Sequence, residues 1–414
     1  MDYKKFDESI LTDANYLYDG YLRAKNGSSW KPEVQRFEAN FLLEIASLQH
    51  QLKEGTYKSD PPNSFIIHER GRIRLIRGLR MKDRVARHPF CDHVLNPALR
   101  PKLIYDNYAS LEKRGISMAR NRFLYFLQRW FRQHKSNSGF IMIMDYSGFY
   151  DNILHEEVIG TVGPLLKTKT DRWFLSLMLS DSMVDVSYLS EEERALCKTT
   201  KVKILDHYRI PAELKTGEYF WPKSLNIGDQ CSQSLSTFYP TKIDNFVKIV
   251  CGVRYYGRYM DDSFVIAETK EELLSLMDKI KTVTDSIGIF LNPQKTRIYK
   301  LSAKFRFLQM QYCLTETGRV IVKINPKRLT TMRRKLRKLK KKLDAGEVTY
   351  PDIENMFRGW YGSYQTYMSK LQKINLILLY DGLFEKELKG VSIWKSIQIM
   401  VSRWKKRKKC KSTI

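Results

Sequence analysis

Between Val253 and Ala267 the chain reads VRYYGRYMDDSFVIA. Two runs of aromatic, β-branched and apolar residues flank Met260, Asp261 and Asp262, which predicts two strands joined by a tight turn, with both carboxylates at the tip of a β-hairpin. Adjacent acids repel each other, and a divalent cation relieves the repulsion. An Asp pair at a hairpin tip suits a hard ion such as Mg²⁺ and leaves positions for phosphate oxygens. Asp-Asp is also an ordinary solvated turn, so the metal reading needs a further acid. Phe140 to Met144 supplies it, as a continuous apolar run of the kind found in buried strands that ends abruptly at Asp145. Together, Asp145, Asp261 and Asp262 would hold two Mg²⁺ ions about 4 Å apart, a clamp that activates an attacking hydroxyl and stabilises a departing pyrophosphate.

Composition bears on what such a centre would act on. The 414 residues suffice for two or three subdomains. Basic residues number 72 against 45 acidic ones, a net charge of +27 that implies a polyanionic partner. Cys91, Cys197, Cys231, Cys251, Cys313 and Cys410 show no Cys-x-x-Cys spacing, which points to a reduced compartment rather than a disulfide framework or a zinc site. No signal peptide and no apolar stretch long enough for a bilayer is visible, so the expectation is a cytoplasmic protein with no membrane partner.

The segment DYSGFYDNI from Asp145 to Ile153 and the YMDD of Tyr259 to Asp262 resemble, in this order, the two acid motifs of reverse transcriptases. The resemblance covers most of residues 64 to 380. It implies an α+β right-hand polymerase fold with fingers, a palm whose antiparallel sheet is backed by helices, and a helical thumb. The expected layout is an N-terminal helical extension over 1–60, fingers over 61–135, a palm with some finger elements over 136–324 and an insertion near 164–224, a thumb over 325–400, and a basic tail over 401–414. Asp145, Asp261 and Asp262 would be the catalytic metal ligands.

In chain order, Phe37, Phe41, Leu42, Ile45, Leu48 and Leu52 recur at helical spacing until Gly55. Ser64 to Arg87 alternates apolar and basic residues around Gly71, a β-hairpin that would gather guanidinium groups on one face for phosphate oxygens. The resemblance selects Arg74 and Arg84 there as contacts to an incoming triphosphate. Lys113 and Arg114 either touch template phosphates or merely charge a helix start. By resemblance, Tyr150 packs beneath the nucleotide sugar, where its ring would exclude a 2′-hydroxyl; Phe149 is core. In NIGDQCSQSLSTFY, Asn226 to Tyr239, Gly228 permits close backbone approach near the nucleotide and Ser232 opens a helix. Its Ile227–Gly228 and Ser232–Gln233 pairs resemble prokaryotic enzymes of the diversity-generating and defence-associated types.

Glu271 to Ser286 predicts an amphipathic helix with Leu273, Leu274, Met277, Ile280 and Val283 inward. Lys295, in LNPQK, either stabilises the leaving pyrophosphate or is a plain loop lysine. Gln309 stands where the family's Phe-Leu-Gly segment has glycine. From Leu329 to Leu343 an apolar seam runs through a stretch, Lys327 to Lys342, with ten basic residues and no acid. Arg333, Arg337 and Lys341 would track a nucleic-acid backbone there. Residues 353 to 383 complete a three-helix bundle like the thumb of group II intron enzymes.

These readings converge on a Mg²⁺-dependent RNA-directed DNA polymerase. It would take dNTPs and a DNA or RNA primer and copy a structured noncoding RNA into cDNA in the bacterial cytoplasm, as an antiphage defence enzyme. A diversity-generating retroelement enzyme, working with an accessory protein, is the alternative within the class. A maturase-like RNA-binding scaffold is the alternative outside it.

Overall fold

The computed structural model describes residues 9–69, 71–111 and 113–386. The basic tail and the end of the expected thumb lie outside the described residues. The chain forms two compact units, one made of Met1–Phe126 and Gly139–Ile298, the other of Leu127–Ser138 and Tyr299–Ile414.

The first unit opens with helices Ala14–Lys25, Pro32–Ala39 and Phe41–Lys53. The helix expected through Phe37 to Leu52 is therefore two, broken at Asn40. Phe41 stacks on Tyr21 at 5.4 Å, and Ile45, Leu48 and Leu52 are buried. Leu42, expected on the same face, is 69% exposed, because the break at Asn40 reorients the second segment. Strands β1 (Asn63–Glu69) and β2 (Arg72–Gly78) form the expected antiparallel hairpin, with Gly71 at φ +80° in its tip. Helix Met81–Pro89 follows, so Arg84 belongs to a helix and not to the hairpin.

The central sheet contains β3 (Phe140–Met144), β6 (Tyr256–Tyr259), β7 (Asp262–Ala267) and β8 (Arg297–Lys300) in the order β6-β7-β3-β8. Both faces of β3 are covered, which is why its sequence is apolar at every position. Phe123 and Phe126, on helix Ile116–His134, pack edge-on against Phe264 of β7 at 4.7 and 5.8 Å. Burying one such ring contributes about 1.5–3 kcal/mol. Helix Lys270–Ser286 covers β3 and β7, opened by a Thr269–Glu272 capping box. Leu273 and Ile280 are buried, whereas Leu274 is 38% exposed at the border of the apolar face.

Helix Gln230–Phe238 begins earlier than the sequence indicated. Asp229, not Ser232, is its N-cap, accepting from the Cys231 amide, and the Ser232 hydroxyl donates to that same carboxylate. The residues around 184–224 build a small core of their own. There β4 (Val184–Asp185) pairs with β5 (Phe220–Trp221), and Val184, Val186, Val202, Ile204 and Trp221 close around Leu75 of β2.

In the second unit β9 (Phe305–Phe307), β10 (Met310–Leu314) and β11 (Val320–Ile324) form an antiparallel sheet. Helices Pro326–Asp344, Tyr350–Tyr364 and Lys370–Phe384 follow. Phe357 stacks on Tyr380 at 4.7 Å, and the Arg328 guanidinium lies 5.0 Å from the Tyr364 ring and donates to its hydroxyl. Leu329, Met332 and Leu336 form the buried seam expected of the first helix. Leu339 and Leu343 are only half-buried, so the seam fades over the last turns.

Candidate active site

Strand register sets the site. β3 and β7 pair antiparallel from Phe140↔Ala267 to Met144↔Ser263, so the next position along β3, Asp145, falls opposite Asp262. Tyr259 pairs with Asp262 across the β6–β7 hairpin, leaving Met260 and Asp261 as a two-residue turn with Met260 at φ +56°. Asp262 is thus the first residue of β7 and not part of the tip. The chain beyond helix Lys270–Ser286 returns beside the first acid: the Ser147 amide donates to the Phe290 carbonyl (2.7 Å), and the Asn292 amide to the Asp145 carbonyl (2.8 Å). The Asn292 side chain accepts from the amides of Gln294 and Lys295, and the turn so formed delivers the Lys295 ammonium to Asp145 Oδ2 at 2.6 Å.

Electrostatics register the crowding. Burial, then the charges of Asp261 and Asp145, push the Asp262 carboxyl up to about 7, against the opposing pull of Lys295 and Arg72. Asp261 is raised by burial and by Asp145. A cation relieves the like-charge repulsion that raises Asp261 and Asp262. The donors are all oxygen, which fits a hard divalent ion; Mg²⁺ centres of this kind are completed by substrate phosphates and water rather than by a closed protein cage. Among the described residues no three acid, imidazole or thiol groups enclose a single point, and Lys295 takes one oxygen of Asp145.

The other expected residues lie as follows. Arg74 of β2 stands 3.5 Å from Glu69, and its charge reaches Tyr150 and Asp151. Arg84 lines a cavity shared with Gly228 and Asp229; its guanidinium donates to the Ala24 carbonyl at the end of the first helix and lies near Ser28 Oγ, and burial lowers its pKa. Arg72, two residues before Arg74 on the same strand face, is the hairpin arginine whose charge acts on Asp261 and Asp262. Alternation along β2 marked both as surface-facing and did not rank them, and the resemblance selected Arg74 alone of the two.

The Tyr150 hydroxyl accepts from Ser236 Oγ at 2.9 Å, and its ring meets the buried Phe149 edge-on. Gly228 sits at φ +102°, and a Cβ there would lie 3.9 Å from Ile76, an ordinary contact. The positive φ by itself favours glycine at this position. Lys113 is exposed at φ +58°. Arg114 is turned back on its own loop, donating to the carbonyls of Tyr105 (2.9 Å) and Asn107 (2.7 Å). In the second unit Arg333 is half-buried, while Arg337 and Lys341 are exposed. Sequence reasoning also passed over Arg258 and Asp244, an ion pair with both side chains wholly buried. The signal was a lone arginine inside an otherwise uncharged strand.

Comparison with known proteins follows the same line. Residues 68–312, more than half of the chain, match the family described as reverse transcriptase (RNA-dependent DNA polymerase). No curated protein sequence matches. Among solved structures, a Candida albicans telomerase bound to a fragment of telomeric RNA superposes at TM-score 0.44 with 13% identity, over 80% of this chain and 60% of that one. A C-terminally truncated apo telomerase of Candida tropicalis gives 0.40 and 17%, over 64% and 55%, and the apo telomerase of that organism gives 0.43 and 13%, over 84% and 67%. The chain thus spans 60% and 55% of the length of the first two of these structures. With both acid motifs inside the matched stretch, on adjacent strands of one sheet, the chain belongs to the reverse transcriptase family and has its α+β right-hand polymerase fold.

Proposed function

We propose that the protein is an RNA-directed DNA polymerase that builds cDNA at Asp145, Asp261 and Asp262. The observation that carries this reading is the β3–β7 register, which sets an acid from residue 145 opposite one from residue 262, with the Lys295 ammonium on Asp145. When bound, divalent metal ions would activate the primer hydroxyl and neutralise the leaving pyrophosphate. Asp145, Asp261 and Asp262 hold them. Lys295 lies where its ammonium stabilises charge on that pyrophosphate, and Arg72 and Arg74 present guanidinium groups to the triphosphate oxygens. Tyr150, its hydroxyl fixed by Ser236, closes the space a ribose 2′-hydroxyl would need. The basic helix Pro326–Asp344 supplies phosphate contacts for a nucleic-acid backbone.

The template we infer is a structured noncoding RNA, and the setting the bacterial cytoplasm in antiphage defence. The support is the Ile227–Gly228 and Ser232–Gln233 pattern shared with prokaryotic enzymes, together with the +27 net charge. The test is extension of a primer on an RNA template with dNTPs. Wild type extends it, and Asp261→Ala with Asp262→Ala abolishes extension; equal extension by that double variant would sink the assignment. Sequencing the RNA and cDNA that copurify separates defence from diversification: a faithful copy of one fixed RNA supports the first, a copy with scattered errors the second. A scaffold role would instead leave biological function intact in the double variant.

A further inference from the structure

Arg258 is the only charged side chain in β6, and it is 0% exposed. Its Nε and Nη2 hold both carboxylate oxygens of Asp244 at 2.9, 3.1 and 2.7 Å, and Asp244 is itself 0% exposed. The remaining donors reach outward. Nη2 donates to the Thr237 carbonyl at the end of helix Gln230–Phe238 (2.9 Å), and Nη1 donates to the carbonyl of Met260 (3.1 Å). The backbone is held as well: the Arg258 amide donates to the Asp106 carbonyl (2.9 Å), and its own carbonyl accepts from Tyr108 (3.0 Å).

Met260 is the residue that turns the chain into Asp261, and at φ +56° it occupies a region that penalises every residue with a Cβ. Its sulfur lies 3.6 Å from Thr237 Oγ1, so both ends of this residue are fastened. A fully buried ion pair gives little or no net stability over an apolar pair of similar size, and what it does supply is a single geometry. The forked shape of the guanidinium is essential, since one cation must meet a carboxylate and two carbonyls at once.

We propose that Arg258, oriented by Asp244, is a positioning residue that fixes the turn carrying Asp261 and Asp262 in the conformation their metal centre requires. The proposal rests on reading those acids as the metal-binding centre, and the experiment separates the two. In the full chain, Mn²⁺ binding is measured by electron paramagnetic resonance, single-nucleotide incorporation by rapid quench, and folding by thermal melting. The variants are Arg258→Lys, the neutral pair Arg258→Gln with Asp244→Asn, and Tyr256→Phe. The last removes a 2.6 Å hydrogen bond to Asp244 without touching the turn.

Arg258→Lys keeps the charge but loses the fork, and the neutral pair leaves no buried charge unmatched, which protects its folding. Both are expected to bind Mn²⁺ about 10-fold more weakly and to lower kcat about 100-fold, with nucleotide KM unchanged. Tyr256→Phe should lower the melting temperature alone. If the first two variants melt lower but keep wild-type Mn²⁺ affinity and kcat, the pair is merely structural and the proposal is overturned. If wild type binds Mn²⁺ no better than Asp261→Ala with Asp262→Ala, it is the acid centre itself that fails, and the positioning role goes with it.

Discussion

His155 is 1% exposed, with Nε2 2.7 Å from the Ser224 carbonyl. Burial holds its imidazole down to about 4, while that hydrogen bond pulls the other way. The folded pKa lies below the unfolded value, so the unfolded chain binds more protons between about 4 and 6.5. The stability this group contributes is complete above the unfolded pKa and is lost as pH falls through the folded one. We expect His155→Gln to flatten the pH dependence of urea unfolding, removing about 2 kcal/mol of the loss between pH 7 and 5. An identical pH slope in the variant would refute the assignment. At the sugar site, Tyr150→Ala is expected to erode discrimination against ribonucleotides by about 10- to 100-fold, read as the ratio of kcat/KM for dNTP and rNTP. The place of Asp145 at a strand end was legible because an apolar run that stops at a carboxylate marks where a buried strand leaves the sheet. Arg258 was not, because an arginine between Gly257 and Tyr259 reads as a surface charge until its carboxylate partner, fourteen positions upstream, is seen beside it.

The turn between β9 and β10 shows what elements add to residues. Leu308 and Gln309 both have positive φ, +42° and +70°, in a two-residue loop closed by Phe307↔Met310, the arrangement of the hairpin turn that favours glycine. The Gln309 side chain there accepts a 3.3 Å contact from the Tyr364 hydroxyl. Gln309→Gly should raise stability by about 0.5–1 kcal/mol, checked by chemical denaturation. Gly318 is the opposite case: at φ +78°, an added Cβ would stand 2.4 Å from the Phe131 ring, so Gly318→Ala should cost about 1–3 kcal/mol. Long helices were readable from periodicity because one face is buried over several turns, as at Leu329, Met332 and Leu336. Leu274 was misplaced because a helix's own pattern does not say how wide its covered face is, and Leu42 because the sequence did not show the break at Asn40. The two-residue strands β4 and β5 carry too few positions for any period.

Across the whole molecule the excess of 27 positive charges predicts nucleic-acid affinity that falls steeply with salt. Replacing Arg333, Arg337 and Lys341 by Ala should lower the slope of log affinity against log salt by about 2–3, since each phosphate contact contributes roughly 0.7–0.9. Fluorescence anisotropy with a labelled RNA between about 50 and 200 mM salt reads this directly. An unchanged slope would remove the helix Pro326–Asp344 from the contact surface. Fold class was legible at this scale, whereas the small core beside the fingers hairpin was not, because its members come from four short segments with mixed charge between them.

That small core has a practical outcome. Leu75 belongs at once to the strand bearing Arg72 and Arg74 and to the cluster of Val184, Val202 and Trp221, and the Asn152 side chain clasps the Val202 backbone from the segment that follows Asp145. A stretch that looks like disposable ornament is a buttress. Trimming it to make a minimal polymerase would strip the wall behind the arginines and unseat the loop behind the first acid in a single cut.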